Sequence, residues 1–272
     1  MTSINTNVGA LNARASAVRA TAKMEQAMER LSSGLRVNSA ADDAAGLSVA
    51  GKMESQLRGI NMSIRNAQDG VGLIQTAESG VNEIRNMVLR MRELAVQMAN
   101  GIYEDTPDRN NAQLEVTALI NQVTLIAENT RFNDVALLDG SFTTVNIQAG
   151  NTTAETIELS FLDMASSGLA INAVTVGTQA NATSALGTLD SALETIASEQ
   201  ATMGSLINRL NFSINNQTKA SVMTEQAVGR IMDSDFATET TNLSKQQILN
   251  QAATSMLAQA NQSKQSILAL LQ

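Results

Sequence analysis

Apolar residues recur in alternating steps of three and four at both ends of the chain. Ile4, Val8, Leu11, Ala15, Val18 and Ala22 follow that step, the a/d seam of a coiled coil. At the far end Leu249, Ala252, Met256, Ala260, Ser263, Ile267 and Leu270 keep it with a weaker, partly polar seam. Each end is therefore predicted to be a helix with one narrow apolar face. The interior carries two longer helical patterns. One runs through Ile60, Ile64, Ala67, Val71, Ile74, Glu78 and Val81 and resumes at Val88, Met91, Ala95 and Met98; the other runs from Leu186 through Leu189, Leu193, Ile196, Gln200, Met203, Ile207 and Leu210 to Ile214. A shorter helix is predicted where Thr106, an N-cap residue type, precedes Pro107 and the apolar positions Leu114, Val116, Ile120 and Val123. Between 129 and 188 charge thins, and 143–149 and 156–161 alternate at period two around a polar turn, which predicts a β-hairpin. The remaining stretch, 166–184, reads as a surface connection.

Composition fits this pattern. Among 272 residues there is one proline and only 2% are aromatic, which favours long helices over a compact globule. With no histidine and no cysteine, the usual neutral-pH general base, the thiol nucleophile and the preferred zinc ligands are missing. No cofactor, metal site or catalytic residue is expected, and the 13 methionines read as gap-fillers in helix packing. The net charge of -8, with 26 acidic residues against 18 basic ones, speaks against nucleic acid and against an anionic membrane surface as partners. No apolar run is long enough to span a bilayer, and the start lacks the features of a cleavable leader. On those rules alone the chain reads as cytoplasmic. The narrow terminal seams return too little burial to offset the entropy of ordering both ends, so the termini are expected to order only when their seams meet each other and neighbouring molecules.

The segment 30–53 places Asn38, Ser39, Asp42 and Asp43 just ahead of a helical stretch, where acids cap exposed amide groups and meet the positive end of the helix dipole. Gly34 and Gly46 allow close approach or unusual torsions there. A carboxylate pair for acid–base work or for calcium is disfavoured, because adjacent acids point to different sides and no further ligands follow at loop spacing.

The block ERLSSGLRVNSAADDAAGLSVA (29–50) resembles the signature of bacterial flagellin, as do SINTNVGALNA at the start, NAQDGVGLIQTAESG, LRMRELAVQMANG, NTRFNDVALLDG, and LNQAATSMLAQANQSKQSILALLQ at the end. The blocks occur in the family's order over nearly the whole chain. The resemblance implies a mainly α fold: a long antiparallel coiled-coil or bundle rod with a small β-hairpin and paired N- and C-termini. It implies an inner-core terminal domain from 1–40 and 233–272, an outer-core helical rod from 41–165 and 185–232 with the hairpin near 143–161, and a short connection at 166–184 where larger members insert outer domains. It further implies a structural, non-enzymatic filament subunit, exported unfolded by the flagellar type III route to the extracellular flagellum, which replaces the cytoplasmic reading. The implied partners are further copies of the chain, an export chaperone at the C-terminal helices, filament-cap and hook-junction proteins, and innate immune receptors. The side chains expected to carry self-assembly are Ile4, Val8, Leu11, Val18, Leu249, Met256, Ile267, Leu268 and Leu271. The 29–50 block is similar to the peptide sensed by a plant receptor, with Asp42, Asp43 and Gly46 at matching positions and Ala41 where many members have lysine. Arg90, Leu94 and Glu115 are similar to residues through which flagellins engage Toll-like receptor 5. A hook–filament junction protein and a secreted coiled-coil translocator are the alternative readings.

Overall fold

The computed structural model describes residues 6–142 and 144–269, with side chains described through 263 and at 265. Helices dominate: α1 (Val8–Ser33), α2 (Ala44–Met98), α3 (Asn110–Asn129), α4 (Gln179–Met232) and α5 (Phe236–Ala269). Strands β1 (Arg131–Phe132) and β2 (Val135–Ala136) form a minimal antiparallel pair, with β3 (Val145–Gln148) and β4 (Thr156–Leu159) as the hairpin. In that hairpin Val145 faces Leu159 and Gln148 faces Thr156, in keeping with the period-two pattern.

Contacts divide the chain into two compact units, Met1–Leu57 with Val222–Gln272 and Arg58–Ser221. The boundaries fall inside α2 and α4 rather than at the turns near 40 and 233.

In the central unit, Arg58–Ser221, α2 lies antiparallel to both α3 and α4. The first arrangement follows from Arg90–Glu115 and Arg109–Met98, the second from Asn82–Gln200, Arg92–Asp190 and Ala99–Gln179. Ile74, Ile84, Met91, Leu138, Leu159, Leu189, Ile196, Met203 and Leu210 are among its fully buried side chains. The core face of α4 runs through Ala182, Ala185, Leu189, Ala192, Ile196, Glu199, Met203, Leu206 and Leu210. It shares every second position with the predicted seam. Leu186, Leu193 and Ile207 are only partly buried at its edge, and Glu199 takes the inward place expected of Gln200.

The short helix differs from expectation at its start. Asp105–Arg109 is an irregular turn in which Thr106 is extended (φ −135°, ψ 122°), and no side chain caps it. Regular helix begins at Asn110. Thr106 thus has the extended torsions of a residue ahead of a helix but supplies no capping hydrogen bond, and Arg109, already in right-handed helical torsions, ties the turn to the end of α2 through its buried side chain. Its guanidinium donates to the carbonyl oxygens of Met98 and Asn100 and to the Asp105 carboxylate. Leu114, predicted inward, is 70% exposed, whereas Ala112, Val116, Ile120, Val123 and Ala127 form the buried stripe.

Candidate assembly surface

In the terminal unit α1 and α5 pack along each other in antiparallel fashion. Asn7 caps α1, its side-chain oxygen accepting from the Ala10 N–H, and the same side chain donates to the Ala260 carbonyl. Further along, Asn250 donates to the Thr21 hydroxyl at 2.7 Å, and Arg30 pairs with Glu239 at 3.2 Å. These contacts zip the two helices from end to end.

The face that α1 turns to α5 is not the predicted one. Ala20 and Ala27 are buried, with Ala10, Ala13, Ala17, Met24 and Leu31 half-buried beside them. These positions also step by three and four, and the alanines among them let the helix axes approach closely. Val8, Leu11 and Val18 are 59%, 54% and 63% exposed. At about 3.6 residues per turn the two stripes lie on roughly opposite sides of α1.

On α5 the inward stripe is also displaced from the expected one, but by a single position, about 100° around the helix. Its inward stripe is Glu239, Leu243, Gln246, Asn250, Ala253, Leu257 and Ala260, while Leu249 and Met256 are 46% and 63% exposed. The intramolecular seam therefore differs from the expected one on both helices, with Ala260 common to the two readings. Ile4, Ile267, Leu268, Leu270 and Leu271 lie outside the described residues and side chains.

Leu249, Ala252 and Met256 line one wall of a groove of about 550 Å³, with Gly9, Ala13 and Ser16 of α1 opposite. The pair thus carries a concave apolar groove and, on another side of α1, a convex ridge of Val8, Leu11 and Val18. Both are open to solvent.

The connections into and out of this pair are built by caps and cross-links. Gly34 ends α1 in the left-handed region, φ 72°, a torsion a side chain disfavours. Its carbonyl accepts from the Ser234 N–H, while the Arg36 N–H and guanidinium donate to the carbonyls of Met232 and Ile231. Asp43 caps α2, accepting from the Gly46 N–H at 2.8 Å, as its position predicts. Asp42 accepts from the Ser39 N–H and hydroxyl and from Gln26. Those hydrogen bonds, the Ser39 hydroxyl first and the Gln26 amide next, hold its carboxyl below the usual range. Asp235 caps α5 in the same way and is likewise lowered, chiefly by the Thr238 hydroxyl. Asp42, Asp43 and Gly46 thus share one capping turn.

In the central unit Arg90 and Glu115 form an ion pair at 2.8 Å across α2 and α3, both about half exposed, and Glu93 joins Arg90 at 3.1 Å. Leu94 is 4% exposed and belongs to the core. The structure brings Arg90 and Glu115 together on the surface and takes Leu94 out of it. Sequence spacing alone did not single out the alanine stripe of α1, the buried Glu199 or the Arg109 clasp. Only the alanine stripe left a sequence signal, a second three–four repeat parallel to the first.

Among the described residues no cluster of acidic side chains is placed to hold a metal ion, and no helix is long and apolar enough to cross a membrane.

Comparison with known proteins bears on the whole chain. Residues 4–143 match the bacterial flagellin N-terminal helical region and residues 186–271 the bacterial flagellin C-terminal helical region. Flagellin of Halalkalibacterium halodurans is 40% identical over 98% of this chain and 99% of that protein. The flagellar filament 33 kDa core protein of Treponema phagedenis is 38% identical over 98% of this chain and 99% of its own length. The crystal structure of Bacillus cereus flagellin superposes with a TM-score of 0.51 at 31% identity, covering 56% of this chain and 88% of that one. A putative flagellar hook-associated protein from Vibrio parahaemolyticus reaches a TM-score of 0.60 over 71% of this chain and 100% of its own, at 13% identity, a likeness of fold alone. With both terminal helical regions matched in order and full-length relatives at this identity, the chain belongs to the bacterial flagellin family.

Proposed function

We propose that this chain is the structural subunit of an extracellular bacterial flagellar filament, and that the outer faces of α1 and α5 carry its self-assembly. One observation supports this above the rest: α1 spends its alanines on α5 and leaves Val8, Leu11 and Val18 in water. A contiguous apolar ridge of that kind on a soluble protein marks an interaction surface. The ridge and the Leu249–Met256 groove face different directions on one helix pair, so the ridge of one copy filling the groove of the next is a heterologous contact. Such a contact adds copies without closing a two-fold dimer and propagates as a helical polymer.

In this reading the protein is not an enzyme. It leaves the cell unfolded by the flagellar type III route, with a chaperone holding the C-terminal helices and with cap and hook-junction proteins at the filament ends. The receptor role assigned by resemblance then rests on exposed Arg90 and Glu115, while Leu94 acts through the packing beneath them. The capping turn of Asp42, Asp43 and Gly46 is the region a plant receptor would meet after the helix pair opens.

Seeded polymerisation tests the assembly reading. Purified monomer added to short filament fragments is followed by light scattering and electron microscopy. Long uniform filaments from the native chain, and none from Val18→Asp, are expected. Growth that stops after a few copies would favour the hook-junction reading, and undiminished growth of Val18→Asp would remove the ridge from the interface.

A further inference from the structure

We infer that Asn100 is a site of spontaneous chemical modification, losing its side-chain amide to attack by the Gly101 backbone nitrogen, and that the buried Arg109 directs the product to isoaspartate. This inference is independent of assembly.

Asn100 and Gly101 form the Asn-Gly dipeptide of the chain, which occurs once in the sequence. They follow the last residue of α2 in an exposed turn. Glycine matters because no Cβ shields its nitrogen from the neighbouring side chain. Among the described residues the Gly101 N–H makes no hydrogen bond that would hold it back. The Asn100 Oδ1 accepts from the Ile102 N–H at 3.2 Å. That bond draws electrons from the amide carbon and folds the side chain back over the backbone whose nitrogen attacks it.

The balance is simple. Gly101 N gives its proton to water or hydroxide and bonds to Asn100 Cγ, water returns a proton to Nδ2, the Cγ–Nδ2 bond breaks, and ammonia leaves, closing a five-membered imide. Water then opens the ring at one of its two carbonyls. Attack at Cγ yields aspartate. Attack at the main-chain carbonyl breaks its bond to Gly101, routes the chain through Cβ and Cγ, and frees the old main-chain carbonyl as a carboxylate.

The structure favours the second opening. The Asn100 main-chain oxygen already accepts from Arg109 Nη2 at 2.8 Å and from the Tyr103 N–H at 3.4 Å. Arg109 is 4% exposed. The guanidinium polarises that carbonyl toward water, and the carboxylate released there gains a charge-assisted bond to a cation already in place.

Asn38, followed by Ser39, supplies an internal comparison. The Ser39 N–H is engaged by the Asp42 carboxylate at 3.1 Å, and the Asn38 amide nitrogen donates to Glu29 and to the Ser33 hydroxyl. Both the nucleophile and the leaving amide are held apart there.

The test is ageing of the full-length native protein at mildly alkaline pH, followed by peptide mass mapping and by isoaspartyl methyltransferase labelling. Asn100 converts first, ahead of Asn38, and the isoaspartate share at 100 is higher in the native protein than in the same chain aged in denaturant. Gly101→Ala slows the loss severalfold; its Cβ would meet only the Gln179 side chain, at 3.5 Å or beyond. Far-ultraviolet circular dichroism verifies that the variant is folded, and the order of conversion in the native chain stands on its own if it is not. An Asn100 that stays an amide while Asn38 converts, or a folded Gly101→Ala variant that ages at the native rate, overturns the site. Equal isoaspartate shares in native and denatured protein overturn the part given to Arg109.

Discussion

In the central unit Ile74, Met91, Leu189 and Leu210 are completely withdrawn from water, whereas in the terminal unit Val8, Leu11 and Val18 are more than half exposed and the buried places on α1 go to Ala20 and Ala27. The difference is one of where each unit's apolar surface ends up. Large side chains of α2, α3, α4 and the hairpin satisfy one another within Arg58–Ser221. In the α1–α5 pair the buried apolar side chains are all alanines, Ala20, Ala27 and Ala253, with Met24, Leu31, Leu243 and Leu257 only half covered. A helix pair held by alanines gains little per residue, since burial free energy follows the apolar area removed from water. Under the assembly proposed above, its larger side chains would contribute once a neighbouring copy covered them.

The comparison breaks most completely if the terminal helices prove dispensable. A chain ending at residue 242 is expected to form no filaments under seeding while its central unit melts as in the full chain, read by electron microscopy and calorimetry. Filaments from that chain would place the assembly surface elsewhere. Next in size, Ile74→Ala or Leu210→Ala should cost about 2–5 kcal/mol of monomer stability, whereas Val18→Ala should stay within about 0.5 kcal/mol. Parallel denaturant melts of the three variants decide whether the two units differ as described. A Cβ at Gly80 would lie 2.6 Å from the Thr130 hydroxyl and 2.9 Å from Leu138 Cδ1. Overpacking of that kind makes Gly80→Ala cost about 1–3 kcal/mol, measured by the same melts.

The smallest effect concerns Glu199, 4% exposed and hydrogen-bonded by the Leu162 N–H at 3.4 Å. Burial raises its carboxyl above the usual range, the one hydrogen bond opposing only in part. The folded state therefore binds this proton more tightly than the unfolded chain does. Stability from this group is greatest below the ordinary carboxylate pKa and is lost as pH rises from there through the raised folded-state value. Glu199→Gln is expected to be modestly more stable than the native chain at neutral pH, with the gap closing in acid. A pH series of thermal melts in which the gap stays constant would show that Glu199 ionises in the fold without penalty.

Much of this architecture is legible from spacing. The long helices, the hairpin at 145–159 and the capping roles of Asp43 and its neighbours follow from periodicity and from residue types that satisfy helix-end amides. The helix after Pro107 was legible in existence but not in its start, because Arg109 reaches back to the end of α2 from a distance that local propensity does not register. The resemblance that named Arg90, Leu94 and Glu115 carries no statement of which of them is exposed. Their division into an exposed ion pair and a buried leucine depends on how α3 lies across α2.

The sequence by itself determined that both ends are helices with apolar stripes, that the interior is helical with one small hairpin, and which family the chain belongs to. Only the tertiary structure decided which stripe of each terminal helix faces inward. Periodicity identifies a face but not its partner: α1 carries two faces with the same step, and the α1–α5 packing buries the alanine face, whose small side chains allow the closest approach. The larger residues are left outside, where another molecule can bury them.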